Sequence, residues 1–434
     1  MAGRAVVGDI RRVNRGALLK LLFLDGPLNR VDLGALTGLS SGSVTNLCGA
    51  LLEEGLIIEA GQEQSDGGRP RVQLEVNPDF GAIIGVEIGE SGVRVEAFDF
   101  RLGVIGVAHV DVHPQRHAFE VTIAAISSAI DELVATFNGA GRRLIGVGIA
   151  VPGMVEHGDD GSRVHAPNIG WQGVPLEALV RERVGAPVFV ENGAKALGQV
   201  EMWLGAGRGT QHAVVALWGT GVGAAIFVDG ILYRGATSSA GEWGHACVVV
   251  GGRKCRCGSN GCLEAYIGAE GLLSVWQEAD PKAPRSEPDE EGWADQLLDA
   301  APVCEGAQQT LEQAATFFGV ASANIANLFN PELIVVGGWL GRKFGAALLT
   351  HIAEVMREQA LDYAADGVEL ALGHFGDDAV ALGASTLVVA ELFATGGELP
   401  ASPARSPRVP WHWGVSSARL GPRARAGYRT GRSA

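Results

Sequence analysis

The chain of 434 residues has no hydrophobic run long enough to cross a membrane. Its amino-terminal apolar patch, residues 17–24, is short and is followed by Asp-Gly instead of a small-residue cleavage site. We therefore interpret this patch as part of a helix and expect a cytoplasmic protein with no membrane partner. Charged residues are also scarce, at 19%, and the formal net charge is −15. A protein with this negative charge is not expected to bind nucleic acid over its whole surface, but it can have one local DNA-binding face.

Cysteine is rare as well, and six residues in a chain of this length do not suit a disulfide framework. Four of the six lie in GEWGHACVVVGGRKCRCGSNGCLEAYIG, residues 241–268. Three thiolates and one imidazole suit tetrahedral zinc, and four protein ligands leave no open position, which predicts a structural site. The predicted ligands are His245, Cys255, Cys257 and Cys262.

Two further expectations concern the same stretch. Cys247 is interpreted as a packing residue, and three cations are expected to offset part of the thiolate charge, namely Arg253, Lys254 and Arg256. The alternative to a metal site is a set of buried, unliganded cysteines. The polar and glycine-rich surroundings offer poor burial and disfavour this alternative.

Glycine is abundant, at 63 residues, and hydrophobic residues make up 47% of the chain, which allows a large core and two or three domains. Residues 1–78, called the head below, read as three helices and a hairpin, the order of a winged helix-turn-helix. From residue 80 to 394, a hairpin, helix and strand pattern occurs twice, which predicts a duplicated α/β fold with a cleft between its halves. Residues 277–293 are expected to form an exposed acidic loop, and the Arg- and Pro-rich residues 395–434 are expected to lack a fold.

Several motifs together resemble the ROK family of repressors, open reading frames and sugar kinases. The stretch GEWGHA…CRCGSNGCLEAY is the most specific, and NPDFGAIIGVEIGESGVRVEAFDF, GVGIAVPGMVE, LWGTGVGAAIFVDG and NIANLFNPELIVVGG match in order over about residues 80–392. The resemblance implies an actin-like and hexokinase-like (ribonuclease H-like) α/β domain with an inter-lobe cleft and a zinc-binding loop at residues 241–264. It also implies sugar contacts by Asn168, Asn192, Glu242, His245 and Glu264.

The head resembles the winged helix-turn-helix of ROK regulators in LTGLSSGSVTNLCGALLEEGLI and in the wing sequence GGRPR. The resemblance implies that the helix beginning near Ser40 enters the major groove. Its exposed polar side chains are expected to read bases, and the wing arginines are expected to meet phosphate or the minor groove. The predicted DNA contacts are Ser41, Ser43, Thr45, Asn46, Arg69 and Arg71, with Arg11, Arg12 and Arg15 on the DNA backbone.

The head has one weakness as a DNA-binding module, because residues 1–78 carry eight Lys and Arg against nine Asp and Glu. A protein-docking role for the head is therefore kept as an alternative. Two copies of the head would double the contacts across two half-sites, so we expect a homodimer or a homotetramer.

Two departures from the family kinases argue against catalysis. The kinases carry Glu-Asn-Asp-Ala-Asn at residues 191–195 of this chain, so Gly193 replaces the general base, and Glu191 is a poorly placed substitute. The first phosphate loop carries Glu90, whose negative charge opposes phosphate binding, and it lacks the family's lysine. The second loop is intact and is interpreted as an inherited, vestigial fold element formed by Gly219, Thr220, Gly221 and Gly223.

The sequence therefore predicts a sugar-responsive, DNA-binding transcriptional regulator without enzymatic activity. It is expected to be a repressor of carbohydrate-metabolism genes, with a structural zinc ion and a catalytically degenerate sensor domain. Its expected partners are double-stranded operator DNA and a sugar or sugar derivative. Two alternatives are left open: an ATP-dependent sugar kinase that retained a DNA-binding head, and a regulator with no sugar ligand.

Overall fold

The computed structural model describes residues 7–63, 70–115, 117–139, 141–158, 161–284 and 292–398. The head begins with a long helix and continues with two short helices and a hairpin. Its elements are α1 (Val7–Asp25), β1 (Leu28–Asn29), α2 (Arg30–Thr37), α3 (Ser41–Glu53), β2 (Ile57–Glu63) and β3 (Arg71–Val76). The strands form an antiparallel sheet in the order β1-β3-β2. This is the element order predicted for a winged helix-turn-helix.

Local signals in the sequence define the two short helices of the head. The Asn29 side chain accepts hydrogen bonds from the first backbone N–H groups of α2, and Gly38 ends that helix with a φ of 72°. Ser40 caps α3 by accepting from the backbone N–H of Ser43. Helix α3 exposes one side and buries an apolar side formed by Val44, Leu47, Cys48 and Leu51.

The remainder of the described chain, called the body, has two lobes. The first lobe contains β4 (Ala82–Ile88), β5 (Val93–Asp99), β6 (Val104–Val110), α4 (Phe119–Gly139), β7 (Leu144–Val151), β8 (Met154–Gly158), β9 (Gly161–Ala166), β10 (Trp171–Val174), α5 (Leu176–Val184) and β11 (Val188–Asn192). Its large sheet has the order β11-β7-β4-β5-β6, and β10-β9-β8 form a small sheet beside it. Strands β4 to β6 pair antiparallel, whereas β7 pairs in parallel with β4 and β11 with β7.

The second lobe repeats this scheme after α6 (Gly193–Leu204). Its elements are β12 (Ala213–Trp218), β13 (Val222–Val228), β14 (Ile231–Leu232), α7 (Glu264–Ile267), α8 (Ala269–Ala279), α9 (Gly292–Ala300), α10 (Glu305–Phe329), β15 (Leu333–Gly337), α11 (Trp339–Gln359), α12 (Asp362–Ala365) and β16 (Glu369–Leu372), followed by α13 (Ala379–Thr395). The sheet order β14-β13-β12-β15-β16 matches that of the first lobe, which confirms the predicted duplicated α/β fold. No helix in the described ranges is long and apolar enough to cross a membrane.

Helices α13 and α6 lie between the two large sheets and pack at backbone distance. A Cβ atom at Gly148 of β7 would overlap the carbonyl oxygen of Ala384 in α13. A Cβ atom at Gly383 of α13 would overlap the carbonyl oxygen of Ala196 in α6. On its other side, α6 packs against β12 and β13. Glycine permits these close approaches because it has no side chain to separate the backbones.

The head docks on the carboxyl-terminal ends of these same two helices. The ring of Phe23 in α1 packs edge-on against Phe393 of α13, with centroids 5.5 Å apart, and against Trp203 of α6 at 6.3 Å. A Cβ atom at Gly16 of α1 would overlap the carbonyl oxygen of Phe393. Head and body therefore share one apolar junction built on α1.

Arg15 holds this junction together, and the expectation that it contacts DNA was wrong. Its guanidinium donates to the carboxylate of Glu54, directly after α3, at 2.7 and 2.6 Å, and to the carbonyl oxygen of Gly396 at 2.7 Å. Arg15 is 7% exposed, because α1 packs against α13 on this face. The hydrogen bonds from Arg15 lower the pKa of Glu54 below its usual value, so this ion pair persists to a more acidic pH than an unpaired glutamate would allow.

The acidic stretch at residues 277–293 also differs from its prediction as an exposed loop. Helix α8 extends to Ala279, and both Ala283 and Trp293 are buried in the core of the second lobe. Burial of the apolar side chains at both ends of the stretch outweighs the preference of its acidic middle for solvent. Residues 285–291 of this stretch lie outside the described residues. The prediction that residues 395–434 lack a fold was wrong at its start, because Thr395 ends α13 and Gly396 accepts a hydrogen bond from Arg15. Residues beyond 398 lie outside the described residues.

Candidate functional site

A cleft of about 830 Å³ lies between the two lobes, within the range of roughly 300–1,000 Å³ usual for ligand sites. The first lobe contributes the loop at residues 87–94, and the second lobe contributes the glycine hairpin at residues 219–223. Helix α6 begins in the cleft at Gly193 and Ala194, and His245 lines the cleft from the cysteine-rich loop. The cleft therefore brings together both glycine-rich loops, the start of α6 and the cysteine-rich loop that the sequence singled out.

The four predicted metal ligands lie together beside this cleft. One donor atom from each of His245, Cys255, Cys257 and Cys262 lies within 4.8 Å of the others. The Sγ atoms of Cys257 and Cys262 are 3.7 Å apart, as are Sγ of Cys255 and Nδ1 of His245. Two metal–sulfur bonds of about 2.3 Å at a tetrahedral angle would separate the sulfur atoms by about 3.8 Å. The cluster could therefore hold one four-coordinate metal ion.

A buried tryptophan and two glycines shape the loop that carries these ligands. Trp243 begins the short 3-10 helix Trp243–His245 and packs edge-on against Phe318, with ring centroids 5.1 Å apart. Gly258 and Gly261 have φ values of 93° and 79°, a left-handed conformation that a larger residue would adopt only with strain. Because Trp243 anchors the loop, Glu242 and His245, its neighbours at either end of the 3-10 turn, have fixed positions.

Those neighbours, Glu242 and His245, are exposed and line the cleft. Within the described chain, no side chain donates a hydrogen bond to the Glu242 carboxylate. The Nδ1 atom of His245 faces Cys255 in the cluster, which leaves Nε2 as the other ring nitrogen. The pair thus offers an acceptor and an imidazole to a ligand.

The other three predicted sugar contacts line the cleft but also bond within the chain. Nδ2 of Asn168 donates to Oε1 of Glu90 at 2.7 Å. Asn192 caps α6 through Oδ1 and donates from Nδ2 to the carbonyl oxygen of Gly153 at 2.7 Å. Glu264 accepts from the first backbone N–H of β13 at 2.9 Å. These contacts fix the three side chains, and each retains further hydrogen-bonding capacity.

Gly193, at the position where the family resemblance predicts the kinase base, begins α6 and offers no carboxylate to the cleft. Glu191 is 1% exposed, does not line the cleft, and forms an ion pair with Arg234. Burial by itself would raise the pKa of Glu191, but the charges of Arg234, His157 and Lys195 outweigh burial and lower it. Glu191 is therefore a buried structural anion, out of reach of a ligand in the cleft.

Glu90 lies at the centre of a network that sequence analysis missed. It accepts from Asn168, from Nε2 of Gln115 at 2.9 Å and from Nη1 of Arg256 at 2.5 Å. Arg256 belongs to the second lobe, so this ion pair bridges the cleft. No local signal in the sequence predicts the pair, because its members are 166 residues apart.

The expected role of the loop cations, to offset thiolate charge, was therefore wrong for two of the three. Arg256 bonds to Glu90 and lies 3.3 Å from Glu264, and Arg253 forms an ion pair with Glu278. Carboxylates at salt-bridge distance determine where these guanidinium groups point.

The glycine hairpin of the second lobe is covered by an indole. Nε1 of Trp339 donates to Oγ1 of Thr220 at 3.3 Å, and a Cβ atom at Gly219 would lie 3.0 Å from the Trp339 ring. A Cβ atom at Gly223 would lie 3.1 Å from Ala194, and one at Gly221 would lie 3.0 Å from Glu264. Close packing thus accounts for these glycines without a phosphate ligand.

The head presents part of the predicted DNA-contact set on its surface. Ser43 is half-buried, and its hydroxyl lies 2.9 Å from the capping hydroxyl of Ser40. Arg69 lies outside the described residues, and Arg12 pairs with Asp9 at 3.3 Å. The predicted contacts that are exposed are Ser41, Thr45, Asn46, Arg71, Arg11 and Arg12.

Comparison with known proteins agrees with this combination of head and cleft. The chain is 29% identical over 404 residues to a xylose repressor of Caldicellulosiruptor bescii, with 89% of this chain and 97% of that protein covered. It is 33% identical over 313 residues to a glucokinase of Halalkalibacterium halodurans, with 70% and 94% covered. Its structure is similar to that of a ROK family transcriptional regulator described as a homolog of the E. coli MLC protein (TM-score 0.76, 25% identity, 90% and 98% covered). A model of the ROK family matches residues 83–391, and the chain belongs to that family.

Proposed function

We propose that this protein is a sugar-responsive transcriptional repressor of carbohydrate-metabolism genes. Its head binds operator DNA, and its cleft binds a sugar or sugar derivative. One observation carries the proposal: an exposed polar helix face and a cleft lined by hydroxyl-binding groups occur in one chain, while Gly193 stands where a kinase needs its base. The match to the xylose repressor supports it, because that match covers more of the chain than the match to the glucokinase.

The ion that we propose for the cysteine–histidine cluster is a structural zinc. Three thiolates and one imidazole are donors that zinc prefers, and four protein ligands leave no position for a substrate. When bound, zinc fixes the loop between Glu242 and Glu264 and so holds both carboxylates relative to the cleft.

The proposed sugar contacts combine an open pair with three fixed side chains. Glu242 and His245 face the cleft without a side-chain partner on the carboxylate, whereas the other three are held by hydrogen bonds within the chain, namely Asn168, Asn192 and Glu264. Sugar recognition requires several convergent donors and acceptors, which this set supplies.

An ATP-dependent sugar kinase is the alternative function, favoured by the intact glycine hairpin and by the match to the glucokinase. Against it, no carboxylate occupies position 193, and Glu191 is held by Arg234 outside the cleft. Loss of a general base typically lowers a rate by about 10²–10⁴-fold. ATP turnover in the presence of a monosaccharide at about 1 s⁻¹ or faster, as in ordinary enzymes, would favour the kinase instead.

An electrophoretic mobility shift with DNA from upstream of the protein's own gene tests the proposal. The protein is expected to bind as a homodimer or homotetramer, with a Kd of about 10⁻⁸–10⁻¹¹ M at physiological salt. Titration with xylose, glucose and N-acetylglucosamine is expected to change that Kd by about 5- to 150-fold for at least one sugar. Failure of the head to retain any duplex DNA would contradict the proposal. DNA binding with no response to any sugar would favour the regulator without a sugar ligand.

Asn46→Ala is expected to weaken binding to the operator by about 5- to 150-fold while leaving binding to unrelated DNA unchanged, because an amide on this helix reads a base edge. Arg71→Ala is expected to weaken binding to both DNAs and to reduce the slope of log Kd against log salt by about 1, because it removes a phosphate contact. Fluorescence anisotropy at several salt concentrations measures both quantities. The control is Arg357→Ala, an exposed charge at the end of α11, which should alter neither.

A further inference from the structure

We infer that the cleft accepts an uncharged monosaccharide and rejects sugar phosphates and sugar acids, and that Glu90 sets this selectivity. The inference rests on the proposed function, since it takes a sugar as the ligand of the cleft. It adds the charge class of that sugar and a residue that determines it.

The carboxylate of Glu90 is fixed from three directions. Its Oε1 atom accepts from Asn168, while Oε2 accepts from Gln115 and from Arg256. Glu90 is 7% exposed and lines the cleft. A carboxylate held by three donors cannot rotate away from a ligand, so its negative charge stays beside Asn168, one of the proposed sugar contacts.

The groups around the proposed sugar contacts carry more negative than positive charge. Glu90, Glu242 and Glu264 supply three carboxylates, and within the described chain Arg256 is the only lysine or arginine at salt-bridge distance from any of them. Its guanidinium lies 2.5 Å from Glu90 and 3.3 Å from Glu264, and Glu270 lies 3.7 Å away on the outer side. A phosphate on the ligand would therefore have to compete with carboxylates that already hold this cation.

The other arginines of the cleft are paired as well. Nε of Arg94 lies 2.6 Å from Glu96, and Arg342 forms an ion pair with Asp377. The amino terminus of α6 is a potential anion site, but two of its backbone N–H groups already donate to Oδ1 of Asn192. Each arginine among the described lining residues is thus already paired with a carboxylate, and no lysine is among them.

The same arrangement suits the hydroxyl groups of a neutral sugar. A hydroxyl can donate to a carboxylate and accept from an amide or a guanidinium at the same time. Glu242 and Glu264 supply acceptors, and Asn168 and Arg256 supply donors. A phosphate offers acceptors and about two negative charges at neutral pH, so it meets three carboxylates without a free cation.

Isothermal titration calorimetry of the full-length protein tests the inference with two sets of probes. The neutral probes are xylose, glucose and N-acetylglucosamine, and the anionic probes are glucose 6-phosphate, N-acetylglucosamine 6-phosphate and glucuronate. At least one neutral probe is expected to bind with a Kd about 100-fold below that of the tightest anionic probe. In Glu90→Gln, this ratio is expected to fall about tenfold, because the amide keeps the shape of the side chain and removes its charge.

Glu270→Gln is the matched control, since it removes a carboxylate near Arg256 that does not line the cleft, and it should keep the wild-type ratio. Tighter binding of a phosphate or of glucuronate by the wild type would overturn the inference and leave the proposed function standing. Binding of none of the six probes would overturn both. An unchanged ratio in a folded Glu90→Gln protein would overturn the role of Glu90. If that variant does not fold, the wild-type ratio still decides the charge class.

Discussion

Gly16→Ala is expected to separate sugar binding from operator binding. Gly16 lies where α1 meets α13, and a Cβ atom there would overlap the carbonyl oxygen of Phe393. That oxygen belongs to the backbone of a buried helix and cannot move aside alone, so the head must shift on the body. Overpacking of this kind costs about 1–3 kcal/mol of stability. We expect the variant to keep operator binding and to lose most of the sugar response, because that response requires coupling through the junction.

Mobility shifts with and without sugar measure the response, and thermal unfolding measures the loss of stability. Gly8→Ala is the matched control: it lies on the same helix, and a Cβ atom there has nothing within 4 Å. Since alanine is a better helix former than glycine, this control should respond to sugar like the wild type and be no less stable. An equal sugar response in the two variants would show that the contact between α1 and α13 does not couple head and body.

Cys262→Ser is expected to abolish stoichiometric zinc binding and to weaken sugar binding by at least about 10- to 100-fold. Cys262 is 1% exposed and lies 3.7 Å from the sulfur of Cys257, so serine removes one of four ligands from a buried position. Without the metal, the loop no longer holds Glu242 and Glu264 in place, and disturbed support of this kind typically costs about 10- to 100-fold. Zinc present at a thousand times its Kd stabilises the folded protein by about 4 kcal/mol, so loss of zinc binding lowers the free energy of unfolding by that amount.

Zinc content after dialysis, calorimetric titration with the effective sugar, and thermal unfolding measure these three effects. The control is Cys247→Ser, because Cys247 is exposed and lies outside the ligand cluster, and it should keep both zinc and sugar affinity. Treatment of the wild type with a chelator should reproduce the Cys262→Ser phenotype. Wild-type sugar affinity in zinc-free Cys262→Ser protein would refute the supporting role of the metal.

The grouping of the four candidate metal ligands could be predicted from the sequence because they are close along the chain. His245 and Cys262 are separated by seventeen positions, and glycines between them permit only a compact loop. The sequence also predicts that Gly193 stands where the resemblance places the kinase base, since this prediction depends on one residue. The duplicated order of strands also followed from the pattern, because each half repeats the same alternation of apolar strands and turns.

The contacts that join distant segments could not be predicted in this way. Arg15 and Gly396 are 381 residues apart, and their hydrogen bond exists only because α1 docks on the last described helix. Arg256 was assigned to the neighbouring thiolates, yet Glu90 of the other lobe binds it. Charge alone does not specify a partner when several carboxylates compete in three dimensions.

The contact of the head with α6 and α13 has a consequence for any movement of one lobe relative to the other. Helices α6 and α13 both start at the cleft, where Gly193, Ala379 and Val380 are among the lining residues, and end beneath the head. At about 1.5 Å per residue, the two helices are about 18 and 25 Å long, and they pack against each other between the lobes. The head contacts the carboxyl-terminal ends of both helices. If the proposed sugar changes the angle between the lobes, we therefore expect the position of the head to change with it. By the same linkage, a head bound to operator DNA is expected to resist that change of angle and so to alter the affinity for the sugar.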